Sequence, residues 1–322
     1  MFFKRDKKRH GEGENHGSTV GWERIVTPPL AERCRKPRRH GLTMIIDKGL
    51  GCAEISDLME TAASHVDFVK LGFGTSMLVP EGVLARKVGI IRSHGVEVYA
   101  GGTLLEIALY QDRLAEFLEW GQQIGFTVVE VSDGTLELAG SEREGIIREA
   151  VRRGYKVLSE VGKKDPSYPL EVWEMADQIH RDLVAGAFKV IIEAREAGKG
   201  IGIFDGRGEI IEEVFSGLAR SVPSPDDIIW EAPQTHQQKE LISRLGPNVN
   251  LGNIPASEVI ALEALREGLR SDTFRTALEA DAARDPSGPA AGRLKGPEPG
   301  GGKEASEAPE PESEELRAAR HA

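Results

Sequence analysis

Between residues 41 and 275 the chain alternates short apolar, β-branched runs with longer amphipathic stretches. The runs are GLTMIID (41–47), VDFVKLG (66–72), VEVYAGG (96–102), TVVEVSDG (127–134), YKVLSEVG (155–162), FKVIIEAR (188–195), DIIWEAP (227–233) and NVNLGNI (248–254). Between them lie SDLMETAASHV (56–66), GVLARKVGIIRSHG (82–95), SEREGIIREAVRRG (141–154) and, after the last run, SEVIALEALREG (257–268). Runs that are apolar throughout predict parallel strands covered on both faces, and the intervening stretches predict the covering helices. Eight such units match the size of a (β/α)8 barrel. The competing architecture, an open doubly wound sheet, usually carries a glycine-rich fingerprint after its first strand. Here that strand ends Asp47-Lys48-Gly49-Leu50-Gly51, which lacks the fingerprint, so the barrel is favoured.

Composition changes the picture mainly at the ends. Residues 1–40 are basic, with Lys7-Lys8-Arg9 and a cluster from Arg33 to Arg39. Residues 276–322 are acidic and rich in Pro, Gly, Ala and Glu. Both are expected to be disordered extensions around a catalytic domain at 41–275. The net charge of −11 argues against nucleic acid as a partner. No apolar run is long enough for a membrane span, and the basic N-terminus leads into no apolar segment, so no secretory signal is expected. Cys34 and Cys52 have no metal-ligand or redox spacing and suit a reducing, cytoplasmic setting.

The candidate chemistry sits at the strand ends. Four consecutive runs place a glutamate there: Glu130, Glu160, Glu193 and Glu231. The C-terminal ends of parallel barrel strands gather at the face where active sites are built. Four converging carboxylates repel unless cations neutralise them. Lys48, Lys70, Lys163, Lys164, Arg195 and Lys199 lie at the same level and are candidate partners. With a side-chain period of two, Glu193 and Arg195 share a face. Any one glutamate could equally serve a structural ion pair; for all four together that reading is weak. A hard divalent cation such as Mg²⁺ would take one or two of them, leaving the others to orient lysines.

Other motifs say less. Gly198-Lys199-Gly200-Ile201-Gly202 could free backbone N–H groups for an anion, but a turn rather than a helix follows it. Asn253 ends the eighth run just before a helix start, a frequent phosphate position in barrels. Gly101-Gly102-Thr103 offers another close approach to a ligand. His65, His94, His180 and His236 lack metal-ligand spacing, Ser159 lacks a nucleophile-elbow context, and Phe68, Phe73 and Trp230 are expected to pack.

The segments GLTMIIDKGLG, DFVKLGFGTS, VYAGGTLLEIA, EVSDGT, LSEVGKKDP, VIIEAREAGKGIG, WEAPQTHQQ, GPNVNLGNI and LEALREGLRSDTF, in order over residues 41–275, closely resemble the phosphosulfolactate synthase family. The resemblance implies a (β/α)8 barrel that adds sulfite to phosphoenolpyruvate with Mg²⁺, giving (2R)-phospho-3-sulfolactate, an early intermediate of coenzyme M biosynthesis. It also implies a homo-oligomer, such as a trimer. On this reading Lys164 or Lys163, in the GKK segment, is the general acid. Glu160 positions that lysine or binds metal. Asp47, Glu130, Glu193 and Glu231 compete for Mg²⁺, while Lys48, Lys70, Arg195, Lys199, Gly200 and Asn253 bind substrate. Two alternatives stand beside it: a non-catalytic, stress-associated barrel of the same family, and a related lyase with another nucleophile.

Overall fold

The computed structural model describes residues 21–30, 33–162, 171–195, 197–287, 290 and 293. Eight strands form one parallel sheet: β1 (Thr43–Asp47), β2 (Phe68–Leu71), β3 (Glu97–Ala100), β4 (Val128–Val131), β5 (Lys156–Val161), β6 (Lys189–Ile192), β7 (Ile228–Glu231) and β8 (Leu251–Pro255). Their order is β3-β2-β1-β8-β7-β6-β5-β4. The two end strands meet at Thr127, whose N–H donates to the Val98 carbonyl (3.2 Å) and whose Oγ1 accepts from the Val98 N–H (3.3 Å). This nearly closed ring is the expected (β/α)8 barrel, and all eight runs became strands.

Helices follow the strands: α1 (Cys52–Ala62), α2 (Glu81–Ser93), α3 (Gly102–Tyr110) with α4 (Leu114–Ile124) after β3, α5 (Gly140–Arg152), α6 (Val172–Ala185), α7 (Glu212–Ser221), α8 (Thr235–Leu245) and α9 (Val259–Arg266). Each lays an apolar stripe on the sheet, as Leu84, Val88 and Ile91 do on α2. The strands therefore bury both faces, which is why they are apolar throughout. None of the described helices is long and apolar enough to cross a membrane.

Inside the ring, Leu42, Met44, Phe68, Tyr99, Val128, Leu158, Ile191 and Ile229 pack into one cluster. Fully burying an aliphatic side chain of this kind contributes roughly 1.5–3 kcal/mol. Because side chains alternate with period two, the next inward position on each strand lies two residues further on. Those positions are Ile46, Lys70, Gly101, Glu130, Glu160, Glu193 and Glu231. The interior thus changes from hydrocarbon to charge within one residue pair, at the C-terminal end.

The domain limits differ from the compositional ones. The cluster from Arg33 to Arg39, counted above with the N-terminal extension, is tied to the barrel's N-terminal end. Arg33 pairs with Glu263 (2.6 Å), Arg38 with Asp67 (2.9 Å), and Lys36 Nζ donates to the Ala63 carbonyl (3.0 Å). Charge alone made this stretch look solvated, yet Arg33, Lys36 and Arg38 each have a specific acceptor. At the other end α10 (Ser271–Arg284) runs past residue 275. Residues 1–20 and most of 288–322, where the remaining tail expectations fall, lie outside the described residues.

Candidate active site

Lys70 Nζ is the hub of the C-terminal end. It lies 3.1 Å from Glu130 Oε2, 3.1 Å from Glu160 Oε2 and 3.3 Å from Glu231 Oε1, and it donates hydrogen bonds to the latter two. All four side chains are buried, as is Glu193. Their strands fix them: Phe68 and Lys70 alternate on β2, Val128 and Glu130 on β4, Leu158 and Glu160 on β5, Ile229 and Glu231 on β7. Backbone groups finish the job. Glu130 Oε1 accepts from the Gly102 N–H (2.7 Å), Glu231 Oε2 from the Ala194 N–H (2.9 Å), and Glu193 Oε1 from the Arg195 N–H (2.5 Å).

Glycine permits two of these approaches. A side chain at Gly102 would collide with Ser132 Oγ and come within 3.0 Å of Glu130 Oε1. One at Gly202, where φ is +62°, would run into the Glu193 carbonyl oxygen.

The charges do not balance. Burial alone would lower the Lys70 pKa, but Glu130, Glu160 and Glu231 together hold it well above the usual lysine value. The carboxyls move the other way. Burial pushes Glu193 well above the ordinary range, and the neighbouring Glu160 and Glu231 push it further. Burial likewise raises Glu130 and Glu231, against the pull of Lys70. Ligand oxygens of Glu160, Glu193 and Glu231 lie within 4.8 Å of one another. At an effective dielectric near 20, two full charges that close repel by roughly 3–4 kcal/mol. One ammonium among four carboxylates leaves a pocket suited to a further cation, and its hard oxygen donors suit Mg²⁺.

Above the hub is a cavity of about 100 Å³ lined by Lys70, Glu130, Glu160, Glu193, Arg195 and Asn253, with Ile46, Phe73 and Gly101–Thr103 completing the wall. A second cavity, about 450 Å³, is lined by Lys48, Gly49, Leu50, Pro233 and Pro255–Ser257, and shares Ile46 and Asn253 with the first. Four described non-glycine residues have positive φ, and three of them, Phe73 (57°), Arg195 (58°) and Asn253 (53°), line the first cavity. Backbone strain held in place by its surroundings concentrates at functional sites. Asn253 also buries an Oδ1 with no hydrogen-bond partner where the two cavities meet.

The expected residues thus fall into four groups. Glu130, Glu160, Glu193, Lys70, Arg195 and Asn253 come together around one cavity, Glu231 joins them through Lys70 Nζ without lining it, and Lys48 lines the neighbouring cavity. Asp47 does not join the carboxylates. It follows the inward-facing Ile46, so it points to the helices, where Oδ2 meets Lys87 Nζ on α2 (2.7 Å) and Oδ1 accepts from the Gly49 and Leu50 N–H groups (both 2.7 Å). Lys199 and Gly200 are exposed and line neither cavity; the Gly200 N–H donates to the Asp205 carbonyl (2.8 Å), folding that loop onto itself. Lys163 and Lys164 lie outside the described residues.

Phe73, expected to pack, is 41% exposed at the cavity wall, whereas Phe68 and Trp230 are core residues. Lys87 was overlooked, although its place on the buried stripe Leu84–Lys87–Val88–Ile91 of α2 marks it as a cation with a buried partner.

A family model described as (2R)-phospho-3-sulfolactate synthase (ComA) matches residues 31–272. Three curated phosphosulfolactate synthases are similar over most of their own length. That of Methanothermobacter thermautotrophicus is 48% identical over 252 residues, 78% of this chain and 96% of the relative. That of Methanocaldococcus jannaschii is 43% identical, covering 73% and 94%. That of Bacillus subtilis is 38% identical, covering 76% and 96%.

Proposed function

Because the chain belongs to the (2R)-phospho-3-sulfolactate synthase family, we propose that it adds sulfite to phosphoenolpyruvate in a Mg²⁺-dependent reaction closed by a lysine proton. The observation that carries this reading is the charge imbalance: one ammonium, Lys70, for three buried carboxylates with Glu193 beside them, at the floor of a cavity rimmed by Arg195 and Asn253.

Glu160, Glu193 and Glu231 would hold Mg²⁺, which would supply Lewis-acid stabilisation of negative charge developing on the substrate carboxylate. Lys70, kept protonated by its three carboxylates, holds them in a fixed array and is a poor proton donor. Arg195 at the rim provides a cation for the anionic substrates. Lys48 and the chain at Ala256–Ser257 surround the second cavity, which suits the phosphate end. Asn253, at the junction, can hydrogen-bond a substrate that spans both cavities.

The sulfur lone pair of sulfite forms a bond to the methylene carbon. The double-bond pair shifts towards carbon 2 and its carboxylate. A lysine then gives its proton to carbon 2 on one face, which sets the R configuration, and is reprotonated from solvent. We assign that proton to Lys164 or Lys163, in the segment that follows Glu160 and Gly162.

Purified protein with phosphoenolpyruvate, sulfite and Mg²⁺ is expected to form a product with the mass of phosphosulfolactate, and to form none when Mg²⁺ is chelated. Absence of product under both conditions overturns the reading. Consumption of phosphoenolpyruvate only with a different nucleophile supports the related-lyase alternative instead.

A further inference from the structure

On the helix side of the sheet, behind the site, lies a buried charge cluster that the proposed chemistry does not use. Arg143 occupies the apolar stripe of α5 beside Ile146, Ile147 and Ala150 and is fully buried. Its Nε donates to both oxygens of Asp182 (3.0 and 3.1 Å) and its Nη2 to Asp182 Oδ2 (2.7 Å). Nη1 donates to Asp133 Oδ1 (3.0 Å), and Nη2 also donates to the backbone carbonyl of Glu160 (2.8 Å). Asp182, on the buried stripe of α6, accepts again from Gln178 Nε2 (2.8 Å). One guanidinium therefore joins α5, α6, the turn after β4 and the last residues of β5.

Buried ion pairs are a weak route to stability, since apolar residues of similar volume often do as well. What an apolar pair at 143 and 182 could not do is hold the Glu160 carbonyl and the Asp133 turn at once, a task matched to the rigid donor fork of arginine. Glu160 is consequently clamped from both sides of the sheet: its carbonyl by Arg143 outside, its carboxylate by Lys70 inside. We propose that Arg143 is a positioning residue. It sets the height of the β5 end, and so places the Glu160 carboxylate against Lys70, Glu193 and Glu231. The kinetic part of this inference rests on the proposed reaction; the structural part does not.

Two measurements on the full-length protein test it. Arg143→Lys keeps the charge but not the fork; Asp133→Asn weakens the hold on Nη1 that orients the fork toward the Glu160 carbonyl; Arg143→Met with Asp182→Leu removes both members of the fully buried pair, so that neither is left without the other. In each, amide exchange at residues 159–162 is expected to accelerate at least about tenfold, while β6 and β7 stay within about threefold. Turnover is expected to fall about tenfold or more with KM for phosphoenolpyruvate changed less than about threefold, as for a misplaced reacting group, and Arg143→Lys should lose least.

Wild-type exchange at 159–162 in a folded double variant overturns the inference. So does an acceleration spread evenly over all strands in step with lost melting temperature, the signature of a merely structural role. If the double variant does not fold, the two single variants decide by the same readings. If the wild-type protein makes no product, the proposed reaction falls and the exchange measurement alone decides this inference.

Discussion

At the N-terminal end of the barrel Arg33 forks onto Glu263, Arg38 onto Asp67, and Lys156 reaches Glu97 at 2.6 Å. At the C-terminal end one ammonium serves Glu130, Glu160 and Glu231, with Glu193 beside them. The same residue types sit in opposite electrostatic states. Burial works to raise the Glu263 pKa, but Arg33 overrides it and the carboxyl ends below its ordinary value; Lys156 and Thr127 do the same for Glu97. At the other end burial wins, and Glu130, Glu193 and Glu231 all finish above theirs. Carboxylates that each have a cation of their own, as at the N-terminal end, hold the structure together. Unmatched charges are held by the structure at a cost, and a ligand that brings positive charge would relieve it.

The comparison breaks most visibly if acids are removed from each end in turn. Glu263→Gln leaves Arg33 buried without its counter-charge, and the loss of one partner of a buried pair costs about 3–5 kcal/mol. Chemical denaturation should show that loss. A change smaller than about 1 kcal/mol, typical of exposed pairs, would mean the N-terminal pairs are not the anchors described here. At the C-terminal end the corresponding change, Glu231→Gln, should leave folding intact but lower product formation by about 10²–10³-fold, the effect of deleting one preorganised electrostatic group. Near-normal turnover in that variant would remove Glu231 from the catalytic set.

These two ends were not equally legible in the sequence. The C-terminal hub was, because strand periodicity and barrel topology together turn a recurring glutamate at four strand ends into a point in space. Asp47 shows what the strand-end rule omits: it is one residue out of phase with Met44 and Ile46, so the same alternation that brings Glu160 inward sends it to Lys87. Lys199 and Gly200 depended on how a loop closes, through a hydrogen bond to Asp205 six and five residues away, which strand parity does not encode. The N-terminal pairs were missed because Arg33 and Glu263 are 230 residues apart, and local composition made a packed strap look like a charged tail. Lys87, Arg143 and Asp182 were visible as polar residues on apolar helical stripes, but the sequence does not name their partners.

Divalent cations should sharpen the contrast. Mg²⁺ that binds the folded protein alone stabilises it by about 2.7 kcal/mol at a hundredfold excess over its Kd, which raises the melting temperature by several degrees. Glu263→Gln should retain the full increment, because its defect lies at the far end, whereas Glu231→Gln should lose most of it. Calorimetric melting with and without Mg²⁺ reads both. Equal increments in the two variants would place the cation outside the carboxylate hub.

The smallest effect has the most informative sign. Glu193 keeps its proton to a higher pH when folded than when unfolded, where its value is near 4.5. Above that value the unfolded chain releases a proton that the folded protein retains, so the contribution of Glu193 to stability is present at low pH. It is lost as pH rises through the raised folded value. Glu193→Gln removes the titrating group and keeps the shape. The variant should therefore melt close to wild type near pH 4 and above it at neutral pH, by about 2–4 °C, roughly what 1 kcal/mol gives in a domain this size. The advantage should disappear when Mg²⁺ is added, since wild type gains a cation that the variant binds poorly. The same substitution strategy at Glu263, whose pKa is lowered, must give the reverse: a loss that is greatest at neutral pH and shrinks on acidification. Melting curves that move in the same direction at both ends would show that the two sets of charges are not in opposite states after all.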